Sequence, residues 1–266
     1  MFKLRKYIRH ILCAIQETMA YRASYFVNII SQSVSYIAIF FLWKAVYVAG
    51  PTIGGMEWND MQGYLLISLF TSALISGSSE FRVSRAIWSG NIAVELVRPM
   101  DYQRANFAIT IGNGMAEGVL VAALGLVFAA LIGFTTPPDH PITWLYFLVA
   151  MIFSFTIKFL VVYIFGLFTF WTTSGMGLAW VRKGLTDFFS GAVIPLSFFP
   201  GWLQGIADWL PFRGIVFVPG TIFIEKMPES QIFMSLALDV VWIVGLWYLA
   251  KVIWHFAMRK ITIQGG

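Results

Sequence analysis

Residues 142–170 read ITWLYFLVAMIFSFTIKFLVVYIFGLFTF, and Lys158 is the only charge among them. About 20 apolar residues, rising about 1.5 Å each as a helix, cross the roughly 30 Å hydrocarbon layer of a bilayer. The run is therefore long enough to span. Comparable runs lie near Tyr25–Val48, Met61–Ser79, Ala105–Phe134, Leu185–Phe199 and Phe233–Trp254. Together they predict an all-α, polytopic membrane protein with about six transmembrane helices. Composition agrees: 59% of residues are hydrophobic and 12% charged, against about 25% charged in soluble domains. A soluble domain is excluded on that ground, as is a second globular domain beside the spans.

Residues 1–24 differ from the rest. Leu4, Ile8, Ile11, Leu12, Ile15 and Met19 recur at helical spacing, with Lys6, Arg9 and Gln16 on another face. The segment reads as an amphipathic elbow helix lying in the headgroup plane of an anionic leaflet, and not as a cleavable leader. Residues 25–254 form the transmembrane domain and 255–266 a cytoplasmic tail. With the amino terminus inside, fourteen Lys and Arg fall in inner segments, Arg182 and Lys183 among them. Only Lys44, Arg213 and Lys226 fall outside. The positive-inside rule then places both termini in the cytoplasm. The net charge of +5 is a topology and lipid-contact signal, and nucleic acid is not an expected partner. Trp43 and Tyr47 are expected at the outer interface.

Two stretches between spans are too apolar for free loops. Glu80–Gln103 carries Arg85, Glu95 and Arg98 but also Trp88 and Ile92, which predicts one or two short helices against a partner. Asn91 is a candidate cap, and Arg98-Pro99 a stop, because the residue before proline leaves the helical region. Gly201–Ile232 holds Trp202, Trp209 and Phe212 punctuated by Pro211 and Pro219. It predicts a re-entrant or interfacial hairpin at the outer leaflet, where irregular backbone needs protein or water around it.

Within spans, Glu117 and Lys158 lie at matching distances from the turn joining the third and fourth helices, so an ion pair is expected if their faces agree. Snorkelling of Lys158 along its own stem is the competing reading. Asp239 sits about two turns from the outer start of its span, within reach of water. Gly114, Gly118, Ala122, Gly125 and Ala129 make a small-residue stripe, expected to pack tightly within one subunit, with a subunit interface as the alternative. The chain carries no phosphate-cradling G-x-x-x-x-G-K-[ST] run, no H-E-x-x-H, no G-x-S-x-G and no metal-type Cys/His cluster.

Ser89-Gly90-Asn91, Glu95-Leu96-Val97-Arg98-Pro99, Ile194-Pro195-Leu196-Ser197-Phe198-Phe199-Pro200, Leu210-Pro211-Phe212 and Val218-Pro219 stand in an order that resembles ABC-2 type transporter permeases, specifically small six-span bacterial export permeases. The resemblance covers nearly the whole chain. It implies a permease subunit of an ATP-driven exporter in a bacterial cytoplasmic (inner) membrane, moving an amphipathic or lipid-like substrate. ATP and Mg²⁺ would sit on a separate ABC ATP-binding subunit, with no cofactor on this chain. A second permease copy or a related permease would complete a homo- or heterodimer. By the same resemblance, 80–103 contains a coupling helix (Arg85, Trp88, Ile92, Glu95 and Arg98). Trp88 and Ile92 would fill a groove on the ATPase, and the charged residues would form its rim. The region 195–232 would close the outer gate (Pro195, Phe199, Pro200, Pro211 and Pro219). An ATP-independent secondary transporter or channel, or a membrane scaffold subunit, is the alternative.

Overall fold

The computed structural model describes residues 2–20, 22–50, 52–75, 78–134, 137–172 and 175–260. The last six residues of the expected tail, and parts of the turns at 76–77, 135–136 and 173–174, lie outside them. The described residues form an all-helical protein with one two-residue hairpin. Helices α1 (Phe2–Ala20) and α2 (Arg22–Ala49) lead into strands β1 (Thr52–Ile53) and β2 (Met56–Glu57). The strands pair antiparallel, Thr52 with Glu57 and Ile53 with Met56. Gly54 and Gly55 turn between them at φ 57° and 79°, the double positive φ that a two-residue hairpin requires.

Helix α3 (Trp58–Ala73) follows, then the short α4 (Ser78–Trp88) and α5 (Ile92–Leu96), and the long α6 (Tyr102–Ile132) and α7 (Pro141–Leu167). Asp101 caps α6, its carboxylate accepting from the Arg104 amide at 2.8 Å, and Gly133 ends it at φ 69°, a left-handed C-cap. Helix α8 (Gly175–Phe189) precedes a broken region. This holds a 3₁₀ turn (Leu196–Phe198), α9 (Gly201–Trp209), a second 3₁₀ turn (Pro211–Gly214) and α10 (Phe217–Phe223). The chain closes with α11 (Glu229–Met258). Among the described residues, α6, α7 and α11 are long and apolar enough to cross a membrane, and Ser33–Ala49 of α2 is a shorter apolar stretch.

Helix α7 is the central element. It packs on α11, α10, α4 and α8, and Ile157, Leu160, Tyr163 and Leu167 are buried along it. By contrast α6 and α11 leave much of their apolar surface outside, Leu126, Leu131, Val241 and Val244 among it, as lipid-facing helices do. Helix α1 packs against α6. Gly112 permits that approach: a Cβ there would meet the Ile11 carbonyl and come within 2.8 Å of the Ala14 Cβ. Thr18 adds a hydrogen bond to the Asn113 side-chain oxygen at 3.2 Å.

Three expectations need correction. The fifth helix begins ten residues earlier than Leu185, at Gly175, and ends at Phe189. Arg182 and Lys183 therefore sit inside a helix and not in an inner loop. Trp43 and Tyr47 are buried, because each donates inward, Trp43 to the Val193 carbonyl at 3.0 Å and Tyr47 to the Met56 carbonyl at 3.1 Å. The small-residue stripe serves packing only in part. Gly114 meets Phe155 and the Leu74 carbonyl, Gly118 touches Leu74, and nothing lies near Gly125.

Candidate functional site

The α4–α5 segment is a folded surface element. Gly90 (φ 71°) ends α4 and reverses the chain into α5. Asn91 holds the N-cap position, but with helical backbone angles and no side-chain capping bond. Arg82 ties the two helices to α6, donating to Glu95 at 3.2 Å and to the Asn106 side-chain oxygen at 3.1 Å. Trp88 lays its ring edge on Gly175 at the start of α8, where a Cβ would lie 2.7 Å away, and remains half exposed. Arg85 and Arg98 are exposed on the same segment.

Ile92 departs from expectation. It is 4% exposed and belongs to the chain's own core, so it cannot fill a groove on another protein. Val94 and Val97, at 64% and 85% exposed, carry the outward apolar surface instead. Pattern alone did not separate these residues, since in so short a helix one turn decides which apolar side chain faces out.

The region 195–232 is built around prolines at helix starts, where a missing N–H costs nothing. Pro195 precedes the first 3₁₀ turn, Pro200 is the N-cap of α9, Pro211 opens the second 3₁₀ turn, and Pro219 lies in the first turn of α10. Phe199 is buried with its ring 5.1 Å from Phe188. The break after α8 exposes three successive carbonyls, and side chains of α3 and α2 satisfy each one. Tyr64 donates to Gly191 at 2.7 Å, Ser68 to Ala192 at 2.9 Å and Trp43 to Val193 at 3.0 Å. These anchors escaped the sequence reading. The one signal for them was Tyr64 and Ser68 four apart on one helix face. On the far side Arg213 donates to Ser235 at 2.9 Å and pairs with Asp208 at 3.3 Å. Asp239 is buried against Gly214, and so does not face water.

Glu225, at the end of this region, accepts from Thr143 at 2.8 Å and from the His140 amide at 3.1 Å. Desolvation pushes its carboxyl upward, but the bonds from Thr143, His140 and Asp139 outweigh it and hold it below the ordinary carboxylate value. Asp60 pairs with Lys226 at 2.9 Å, so one ion pair fastens this end to α3 and the Glu225 hydrogen bonds fasten it to α7.

Between the helices, Lys158 donates to the Thr71 carbonyl at 3.1 Å and to that of Ser72, at the C-terminal end of α3 where the helix dipole favours a cation. Glu117 is buried on α6, on the turn carrying Gly114 and Gly118, which contact Phe155 of α7 and Leu74 just past α3. Lys158 also borders a partly open cavity of about 580 Å³ between α2, α7 and α8, and Arg182, Lys183 and Asp187 line it with Lys158.

A family model described as "ABC-2 family transporter protein" matches residues 33–265. This chain belongs to the ABC-2 transporter family. No curated protein matches it. ABC-2 permeases are the membrane transport subunits of ABC transporters, generally lack an ATPase site of their own, and associate with an ABC ATP-binding subunit. The match runs through α4–α5, the broken region and α11, so every part of the site described above falls inside the family model.

Proposed function

We propose that this chain is the permease subunit of an ATP-driven exporter that moves an amphipathic or lipid-like substrate outward. The observation that carries the reading is the α4–α5 surface. Trp88, Val94 and Val97 are exposed between Arg85 and Arg98, while Arg82, Glu95 and Asn106 brace the element against α6. An apolar centre with a charged rim is the pattern of a docking surface, and the brace lets motion at that surface reach the spans as a rigid push. ATP and Mg²⁺ would be held by the docked subunit.

In this reading six helices cross the membrane, α2, α3, α6, α7, α8 and α11. Helices α3 and α8 have 16 and 15 residues, about 24 and 22 Å at about 1.5 Å per residue. Both meet the broken region, which supplies the remaining depth. Helix α1 is the elbow on the inner leaflet, 195–232 is the outer gate, and both termini are cytoplasmic in a bacterial inner membrane. A second copy or a related permease completes the pathway.

The test is Trp88→Ala in vesicles holding the chain with its ATP-binding partner. Transport-linked ATP hydrolysis should fall at least about ten-fold, the scale of a buried aromatic anchor, with membrane insertion unchanged. Unaltered coupling would sink the assignment. If transport ran without ATP, a secondary transporter would replace it.

A further inference from the structure

Hydrogen bonds fix how deep the broken region reaches. Its end is held at the start of α7, where Glu225 accepts from Thr143 and the His140 amide. Its middle is held much further along. Ser154 of α7 donates to the Ile215 carbonyl, and Trp242 of α11 donates to the Trp209 carbonyl at 3.1 Å. Ser154 stands 13 residues beyond Pro141, and Trp242 stands 13 beyond Glu229. Each is thus about 20 Å from the start of its helix, deep within a layer of roughly 30 Å. The turn between α9 and α10 lies at that depth and carries Arg213. Charges so placed are expensive and point to function by default.

Two carboxylates stand near this one arginine. Arg213 Nη1 lies 3.3 Å from the Asp208 carboxylate and 3.2 Å from its carbonyl, while Nη2 donates to Ser235 at 2.9 Å. Among the described residues, the buried Nε has no hydrogen-bond partner, and neither has Oδ2 of Asp239. One is a donor and the other an acceptor. Ser235 and Asp239 are four residues apart and both buried on α11, so the Arg213 head already bonds the turn before Asp239. Gly214, its chain neighbour, rests on the Asp239 carboxylate, which an added Cβ would meet together with Ile157. Arg213 is also the charge that acts on Asp239.

We propose that Arg213 is a two-position latch. In the first position, the one described above, it ties the end of α9 to the deep turn through Asp208. In the second it moves one turn along α11, pairs with Asp239 and releases Asp208. The two positions are closely balanced. The first makes three contacts, but the Asp208 carboxylate is 38% exposed, and pairs open to solvent are weak. It also leaves two complementary buried atoms unsatisfied, which disfavours it. The second gives a partner to a carboxylate that is 1% exposed, where attraction is least screened and an unpaired charge costs most. After the swap α9 keeps its bond to Trp242 and loses its tie to the turn. What the latch opens rests on the gate reading of 195–232; its two positions do not.

The experiment uses the purified full chain in nanodiscs without nucleotide, with Cys13 replaced by serine. Nitroxides on Gly205→Cys of α9, where nothing lies within 4 Å, and on the exposed Val48→Cys of α2 are read by double electron–electron resonance. Asp208→Asn should raise a second distance population about 1.5- to 5-fold over the parent, the effect of losing a partly exposed pair. Asp239→Asn should abolish that population. The double variant should also lack it, whereas simple loosening of α9 would leave it in place and overturn the latch. Ser235→Ala, which removes another contact of the first position, should shift the distribution as Asp208→Asn does, and it decides if an acid variant fails to fold. Shifts in the same direction for Asp208→Asn and Asp239→Asn, or unchanged distances in the folded variants, would also overturn it. Distances that shift as stated while ATP-driven flux in Asp239→Asn stays at the parent rate would sink the gate role alone.

Discussion

Gly112 is where α1 meets α6, and its replacement gives a prediction with opposing terms. An added Cβ would stand 2.8 Å from the Ala14 Cβ, where ordinary contact begins at 3.4 Å. It would also meet the Ile11 carbonyl, which is backbone and cannot rotate aside. Helix α1 must therefore retreat by at least about 0.6 Å or undock, and overpacking of this kind costs about 1–3 kcal/mol. Converted at about 1.4 kcal/mol per decade, undocked α1 rises about 5- to 140-fold in Gly112→Ala. Alanine also favours α6 itself by about 1 kcal/mol over glycine. That gain is the same whether α1 is docked or not. Docking and overall stability should therefore part company: α1 loosens while global unfolding changes little. The assay is a nitroxide on Cys13, the sole cysteine and exposed on α1, read by electron paramagnetic resonance in nanodiscs. A mobile component should appear in Gly112→Ala. It should be absent in Gly125→Ala, where nothing lies within 4 Å and the helix gain is equal. Identical spectra for the parent and both variants would refute the argument.

Other predictions follow from single contacts. The Arg82–Glu95 pair is about a quarter exposed on each side, so a double-mutant cycle with Arg82→Ala and Glu95→Ala should give a coupling of about 0.2–1 kcal/mol; zero coupling would leave the α4–α5 brace to Asn106 alone. Glu225 has its carboxyl held low in the folded state, so its contribution is present above the unfolded value of 4.5 and is lost as pH falls through the folded value. Thermal stability measured from pH 6 down to pH 3 should fall less in Glu225→Gln than in the parent, and parallel curves would contradict it. Lys158→Met withdraws the donor from the Thr71 and Ser72 carbonyls and should lower folded yield. If Glu117 and Lys158 act as a pair, adding Glu117→Gln should lose less than the sum of the two single changes, whereas additive losses would separate them.

The parts of this fold legible in the sequence were those where hydropathy and position agree. Helices α6, α7 and α11 are long and apolar with polar ends, whereas the caps of α6, Asp101 and Gly133, emerged only in the fold. Helix α8 was misplaced because Arg182 and Lys183 were read as a boundary; a charge turned into a cavity carries the same sequence signal as one turned to water. The apolar run after Leu185 then extended the helix through Ser190–Pro195. In the fold that stretch breaks, because its carbonyls are taken by Tyr64, Ser68 and Trp43 from far along the chain. Long-range bonds of that kind leave no local pattern. Trp43 shows the same limit: an aromatic at a helix end reads as an interfacial anchor, and only the partner carbonyl of Val193 reveals it as core. For the candidate site, the short helices of 80–103 and the broken 195–232 region were readable from apolar residues where a loop needs none. Which of Ile92, Val94 and Val97 faces outward was not, since α5 has five residues and no periodicity to measure.

The central claim is that this ABC-2 chain works through a docked ATP-binding subunit. Affinity purification of the full chain in mild detergent, with mass spectrometry of what stays bound, tests it most directly. The account predicts a stoichiometric P-loop ATPase that is lost when Trp88, Val94 and Val97 are replaced together by polar residues. Recovery of the chain alone at every salt concentration, as a stable oligomer without an ATPase, would contradict it.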